Sequence, residues 1–253
     1  RALAKAGDKV TMIMPHYPKK TDAAKFGIKS TGRKVTVPFG EWKLDGEILH
    51  AVVKPGIDVY FISQPQFFGR GELYQTKDGD YPDNAERFAF FSRAAIEAMI
   101  ALKISPDVVH VHDWQAALIP LFLKTHYRDR KEFAKTRTLL TIHNLGYQGL
   151  FPPDDMRLLG LGWDYFTFDK LEFWGKLNYL KAGIVYADAI NTVSKKYAEE
   201  ILTEEFGCGL QGALAARKGD LFGILNGIDY EEWNPESNAF IAQKFSPGKM
   251  EGK

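Results

Sequence analysis

An α/β fold, with a mainly parallel sheet and helices packed on its faces, follows from the order of apolar patterns in this 253-residue chain. Beyond residue 105 short apolar runs alternate with segments of helical spacing: VVHVHD before residues 114–127, TLLTIHN before a long loop and residues 169–186, DAINTVS before residues 195–206, then LFGIL. Strands that alternate with helices imply right-handed crossovers between parallel neighbours. The composition, 45% apolar and 26% charged, suits a soluble chain that buries a substantial core.

The elements follow in order. RALAKAG reads as the tail of a helix closed by Gly7, and residues 9–14 as the first strand. RKVTVPFG and WKLDGEILHAVV read as strands, with Asp45 and Gly46 as a tight hairpin turn, and IDVYFIS as the next strand. After the loop QPQFFGRGELYQTKDGDYP, Asp83 and Glu86 form a capping-box pattern that opens a helix running to Lys103. Ser105 and Pro106 stop it, and the alternation begins. The end of the chain, NPESNAFIAQKFSPGKMEGK, is polar and rich in turn formers, so a domain over residues 1–235 with a linker or tail over 236–253 is expected.

Several function classes are disfavoured. The 33 basic and 32 acidic residues leave a net charge of +1 without a one-sign stripe, which argues against nucleic acid or an anionic membrane as partner. The longest apolar run, AALIPLFL, falls far short of the ~18 residues a membrane helix needs. A single cysteine, Cys208, cannot form an internal disulfide; it suits a reducing compartment and is read as a small buried hydrophobe.

In open parallel sheets, ligands bind outside the carboxyl ends of the strands. Those ends carry His112, Asp113 and Trp114, then His143 and Asn144, then Thr192, Val193 and Ser194, then Asn226 and Gly227. Polar groups at four successive strand ends point to the rim of a cleft, with Asp113, His143, Ser194 and Asn226 at one sheet edge. Each also has a plainer reading. Asp113 and Ser194 suit helix N-caps, the preferred reading for Ser194, and Asn226 with Gly227 could form a turn. His110, His112, Asp113 and His143 raise a metal site, but without further His or Cys pairs His110 is read as a hydrogen-bonded core histidine. Aromatic rings crowd the loops. Those of residues 163–174 recur at helical intervals and are read as internal packing, whereas Tyr74 and Tyr147, among polar residues and glycines, suit packing or sugar binding equally.

PDVVHVHDWQAALIP, TLLTIHNLGYQGLF, LKAGIVYADAINTVSKKYAEEI, FGCGLQGAL and GILNGIDYEEWNP, in this order and spacing, resemble the bacterial glycogen synthases and starch synthases. The similarity runs from about Arg1 to Pro235. It implies the Rossmann-like N-terminal half of a GT-B glycosyltransferase, the acceptor side of a retaining enzyme that moves glucose from ADP-glucose to the non-reducing end of an α-1,4-glucan. It implies neither metal nor cofactor, and a bacterial cytoplasm or plastid stroma as the locale. The family's opening strand and glycine loop, expected near the middle of the sheet, and its nucleotide-holding second domain are not among these residues. The chain alone is therefore expected to be inactive, with unpaired strand edges.

Carried over by position, the resemblance implies that His143 and Asp113 act at the reacting sugar. It gives Asn144, Tyr74 and Asn226 as substrate-binding groups, with Trp114, Tyr147 and Gln148 in weaker binding or wall-packing roles. Asp113 is also the only candidate for a covalent route. Two alternatives stay open: a non-catalytic glucan-binding module derived from a synthase, and another GT-B glucosyltransferase.

Overall fold

The computed structural model describes residues 2–39, 42–54 and 56–253. After the short helix α1 (Ala2–Lys5), strand β1 (Val10–Pro15) leads through α2 (Ala23–Phe26) to β2 (Lys29–Phe39), β3 (Trp42–Lys54) and β4 (Ile57–Ser63). These four strands form one mixed sheet in the order β1-β4-β3-β2, with β1 parallel to β4 and the other pairs antiparallel.

Asp45 and Gly46 do not turn. They lie inside β3, where Asp45 pairs with Thr36 and Gly46 with Val35. A Cβ on Gly46 would come within 3.2 Å of the Phe90 ring and 3.3 Å of Ile62 and Val35, so close packing explains this glycine. The pairing of β2 with β3 runs on to Phe39 and Trp42, and residues 40 and 41 lie outside the described set.

The connection out of β4 holds α3 (Pro65–Phe68) and a small hairpin of β5 (Gln75–Thr76) and β6 (Gly79–Asp80). It ends at α4 (Asn84–Ala101), the central helix. Asp83 occupies the N-cap position without making a cap bond, because its carboxylate is held by Arg70. Phe88, Phe90, Phe91, Ile96 and Met99 on α4 are at most 5% exposed, and the helix is buried nearly all round, with polar Asn84, Arg87, Ser92 and Arg93 among its buried residues. Each such apolar side chain contributes about 1.5–3 kcal/mol through burial.

The alternating half follows. Strand β7 (Val108–His112) buries Val109 and Val111 and turns His110 and His112 to the other face, the period-two pattern of a strand. The expected single helix over residues 114–127 is two, α5 (Asp113–Ala116) and α6 (Leu118–Lys124), because Pro120 has no N–H for the carbonyl four residues back and is tolerated only in a first turn. Strand β8 (Arg137–Ile142) follows, then β9 (Leu150–Phe151), α7 (Met156–Leu159), β10 (Glu172–Phe173) and β11 (Lys176–Asn178). Only α8 (Tyr179–Tyr186) of the expected helix over 169–186 is helical; the rest is the β10–β11 hairpin, which pairs on with β9.

Strand β12 (Ala189–Thr192) precedes α9 (Lys195–Glu200), shorter than the expected 195–206; past it, the Thr203 hydroxyl donates to the carbonyl of Glu200. Helix α10 (Gln211–Ala215), β13 (Leu221–Gly223) and α11 (Tyr230–Trp233) complete the elements. The second main sheet, β13-β12-β8-β7, is parallel throughout. The α/β class with a parallel sheet is therefore as expected, but among the described residues there are two four-stranded sheets, in which β1 and β7 are both edges, beside a three-stranded and a two-stranded one. Residues 236–253 carry turns and one isolated bridge. Among the described residues no helix is long and apolar enough to cross a membrane.

Candidate active site

The parallel sheet brings the carboxyl ends of β7, β8, β12 and β13 to one edge, which places His112, Asp113, His143 and Ser194 in a row along it. Asp113 stands there with φ of 53°, a left-handed conformation that a non-glycine residue adopts at a cost. It does not cap α5. One oxygen of its carboxylate instead accepts the backbone N–H of His143, at 2.8 Å, across the gap between the two strand ends. Ser194 does cap its helix, accepting the N–H of Tyr197 at 2.9 Å, so its expected capping role holds.

Three imidazoles line up beside Asp113. His110 and His112 have centroids 4.4 Å apart, and His112 and His143 5.4 Å apart. His112 Nδ1 lies 3.2 Å from His143 Nε2, so one donates to the other, and His112 governs which ring nitrogen His143 leaves for the cleft. His110 Nε2 is 2.5 Å from the Thr141 hydroxyl, which donates to Asn191 Oδ1 at 2.5 Å. His110 is thus hydrogen-bonded, as expected, but it is exposed and not in the core, because it shares the outer face of β7 with His112. Desolvation of its ring, reinforced by His112 and His143, pulls its pKa down to about 4. Among the described residues no group of three or more His, Cys, Asp or Glu side chains converges to hold a metal.

The loop after β8 is shaped by its own polar groups. Asn144 Oδ1 accepts the N–H of Gly146 at 2.9 Å, and the Leu145 N–H donates to the Tyr197 hydroxyl at 3.0 Å. Gln148 is buried and bonded at both amide atoms: Nε2 donates to the carbonyl of Cys208 at 2.9 Å and Oε1 accepts from Asn178 Nδ2 at 2.7 Å. Tyr147 is exposed, and Trp114 is buried edge-on against Phe88, centroids 4.8 Å apart. Cys208 is exposed, contrary to the buried position expected of it, and holds a left-handed φ of 48°.

Tyr74 comes from the loop before α4, its ring centroid 5.9 Å from that of Phe88. Burial, then the carboxylate of Asp113, raises its hydroxyl pKa, which links this loop electrostatically to the strand-end row. Two residues with no distinguishing signal in the sequence hold it. Asn84 Nδ2 donates to the Tyr74 carbonyl at 2.9 Å, and the fully buried Arg87 donates to Phe67 O at 2.9 Å, Leu73 O at 2.8 Å and Asn84 Oδ1 at 2.6 Å. Asn226 lies three residues beyond β13, exposed, in a segment without regular structure. The structure therefore joins Asp113, His112 and His143 by direct bonds, keeps Tyr74 close, and leaves Asn226 without a described contact to them.

Residues 1–216 match a family described as the starch synthase catalytic domain. The chain is 48% identical over its whole length to a glycogen synthase of Koribacter versatilis, and 46% identical over 95% of its length to one of Thermodesulfovibrio yellowstonii. It spans about half the length of these curated relatives, 51% in each case. The catalytic domain of starch synthase IV from Arabidopsis thaliana, solved with ADP and acarbose, superposes with a TM-score of 0.87 at 30% identity, covering 99% of this chain and 51% of that one.

Proposed function

The chain belongs to the starch synthase catalytic domain family, and on that premise we propose that it forms the acceptor-side half of a retaining glucosyltransferase. The parent enzyme moves glucose from ADP-glucose to the non-reducing end of an α-1,4-glucan. The bond between the anomeric carbon and the diphosphate breaks, the bond to the acceptor 4-oxygen forms on the same face, and the acceptor proton leaves with the diphosphate. No cofactor enters, so a chelator leaves the rate unchanged. A bacterial cytoplasm or a plastid stroma supplies the nucleotide sugar.

The observation that carries this reading is the strained Asp113 bonded to His143 N at the carboxyl edge of a parallel sheet. Strain at such an edge is held in place by its surroundings and collects where chemistry needs a fixed group. The free Asp113 carboxylate oxygen faces developing oxocarbenium charge, and His143, oriented by His112, binds a hydroxyl of the transferred glucose. Asn144 and Tyr74 bind sugar hydroxyls on either side, and Asn226 closes over them. Gln148 and Trp114 act from behind, as the loop's anchor and the wall.

Labelled ADP-glucose and maltoheptaose test it in the enzyme that carries this chain. Label appearing in maltooctaose with retained configuration is expected. Binding of maltoheptaose with no transfer from any nucleotide-glucose would make the chain part of a glucan-binding module instead.

A further inference from the structure

The β10–β11 hairpin turns through two residues, Trp174 and Gly175, with φ of 51° and 76°. Two positive φ values mark a type I′ turn, whose first position favours Asn, Asp or Gly. A bulky tryptophan is poorly suited to it, and its ring is 84% exposed, so neither backbone preference nor core packing accounts for it. Two further rings stand out from the preceding segment, Trp163 at 62% and Phe168 at 81% exposed, where internal packing was expected.

The hairpin is tied down by hydrogen bonds and pairs with the strand that ends the loop after β8. Gly175 N–H donates to Glu172 Oε1 at 2.6 Å, and Lys181 Nζ donates to the carbonyls of Glu172, at 2.6 Å, and Phe168. The Phe173 ring packs on Gly209, beside the Trp174 indole. The neighbouring Cys208 carbonyl is tied to Gln148, four residues past Asn144, and β11 pairs with β9 at the end of that loop. The tryptophan is thus fixed relative to the loop that carries His143 and Asn144.

We propose that Trp174 is a stacking platform for the glucan chain, holding a sugar unit away from the transferred glucose. A pyranose has flat C–H faces and a rim of hydroxyls. An exposed ring at a hydrogen-bonded hairpin turn, with Glu172 and Lys176 two residues to either side in sequence, matches that chemistry better than it matches a continuous apolar partner. The inference rests on the glucan-synthase reading above, and gives that reading an acceptor site longer than one sugar.

The test compares maltoheptaose with maltotriose as acceptors in the enzyme carrying this chain, for the parent, Trp174→Asn and Trp174→Phe. Asn suits the turn, so Trp174→Asn should melt no lower than the parent. It should lower the ratio of kcat/KM for maltoheptaose over maltotriose about tenfold, through KM, while Trp174→Phe retains most of the ratio. An unchanged ratio in Trp174→Asn overturns the proposal, as it would be if another part of the protein covered the ring. Equal losses on both acceptors also overturn it. If the parent itself elongates neither acceptor, the glucan-synthase reading fails and this site with it, an outcome distinguishable because it is read without any variant.

Discussion

Asp113 combines a left-handed backbone conformation with a carboxylate that makes no helix cap and accepts the His143 N–H instead. Asp113→Asn keeps the shape and removes the charge; kcat should fall about a hundredfold with KM little altered, as when a group that acts on the transition state is lost. His110 gives a prediction about pH. Its folded pKa of about 4 lies below the ordinary histidine value, so the unfolded chain binds the extra proton first as pH falls. The stability it contributes is present at neutral pH and is lost as the pH drops from about 6.5 towards 4. The melting temperature should fall over that window, and His110→Gln should flatten the slope; an identical slope in parent and variant would contradict the assignment. Asp113, His143 and Asn144 were legible in the sequence because polar residues interrupt apolar strands there. Arg87, Asn178 and Tyr197 were not, since each acts through bonds to residues that only the fold brings near, such as Leu145, 52 positions from Tyr197.

At the level of elements, the alternation of strand and helix was legible because β7, β8 and β12 have short apolar runs bounded by polar ends. Segments whose structure depends on distant partners were not. Helical spacing suggested a helix over 169–186, whereas pairing of β11 with β9 imposes a hairpin. Asp45 and Gly46 carry a turn signature yet sit mid-strand, because the Phe90 ring on α4 leaves no room for a larger residue. The connection before α4 owes its form to Arg87, so Arg87→Met should leave the Phe67 and Leu73 carbonyls unpaired. A loss of about 3 kcal/mol or more by urea unfolding is expected, with faster amide exchange around Tyr74. An unchanged midpoint would show that water replaces the guanidinium without loss.

Among the described residues the parallel sheet gathers four strand ends at one edge, and each of the two main sheets has an exposed edge strand. Val108 on β7 is 56% exposed and Met12 on β1 is 48% exposed, and open edges with apolar side chains recruit other strands. Residues 1–253 purified alone should therefore self-associate with rising concentration, seen by light scattering; a monomer at every concentration would contradict this. The chain also spans about half the length of the curated relatives it matches. The most direct test of the central claim is the rate of glucose transfer from labelled ADP-glucose to maltoheptaose in the enzyme carrying this chain, for the parent and His143→Ala. A drop of about a hundredfold with unchanged melting is predicted. Equal rates in parent and variant would remove the strand-end row from the chemistry.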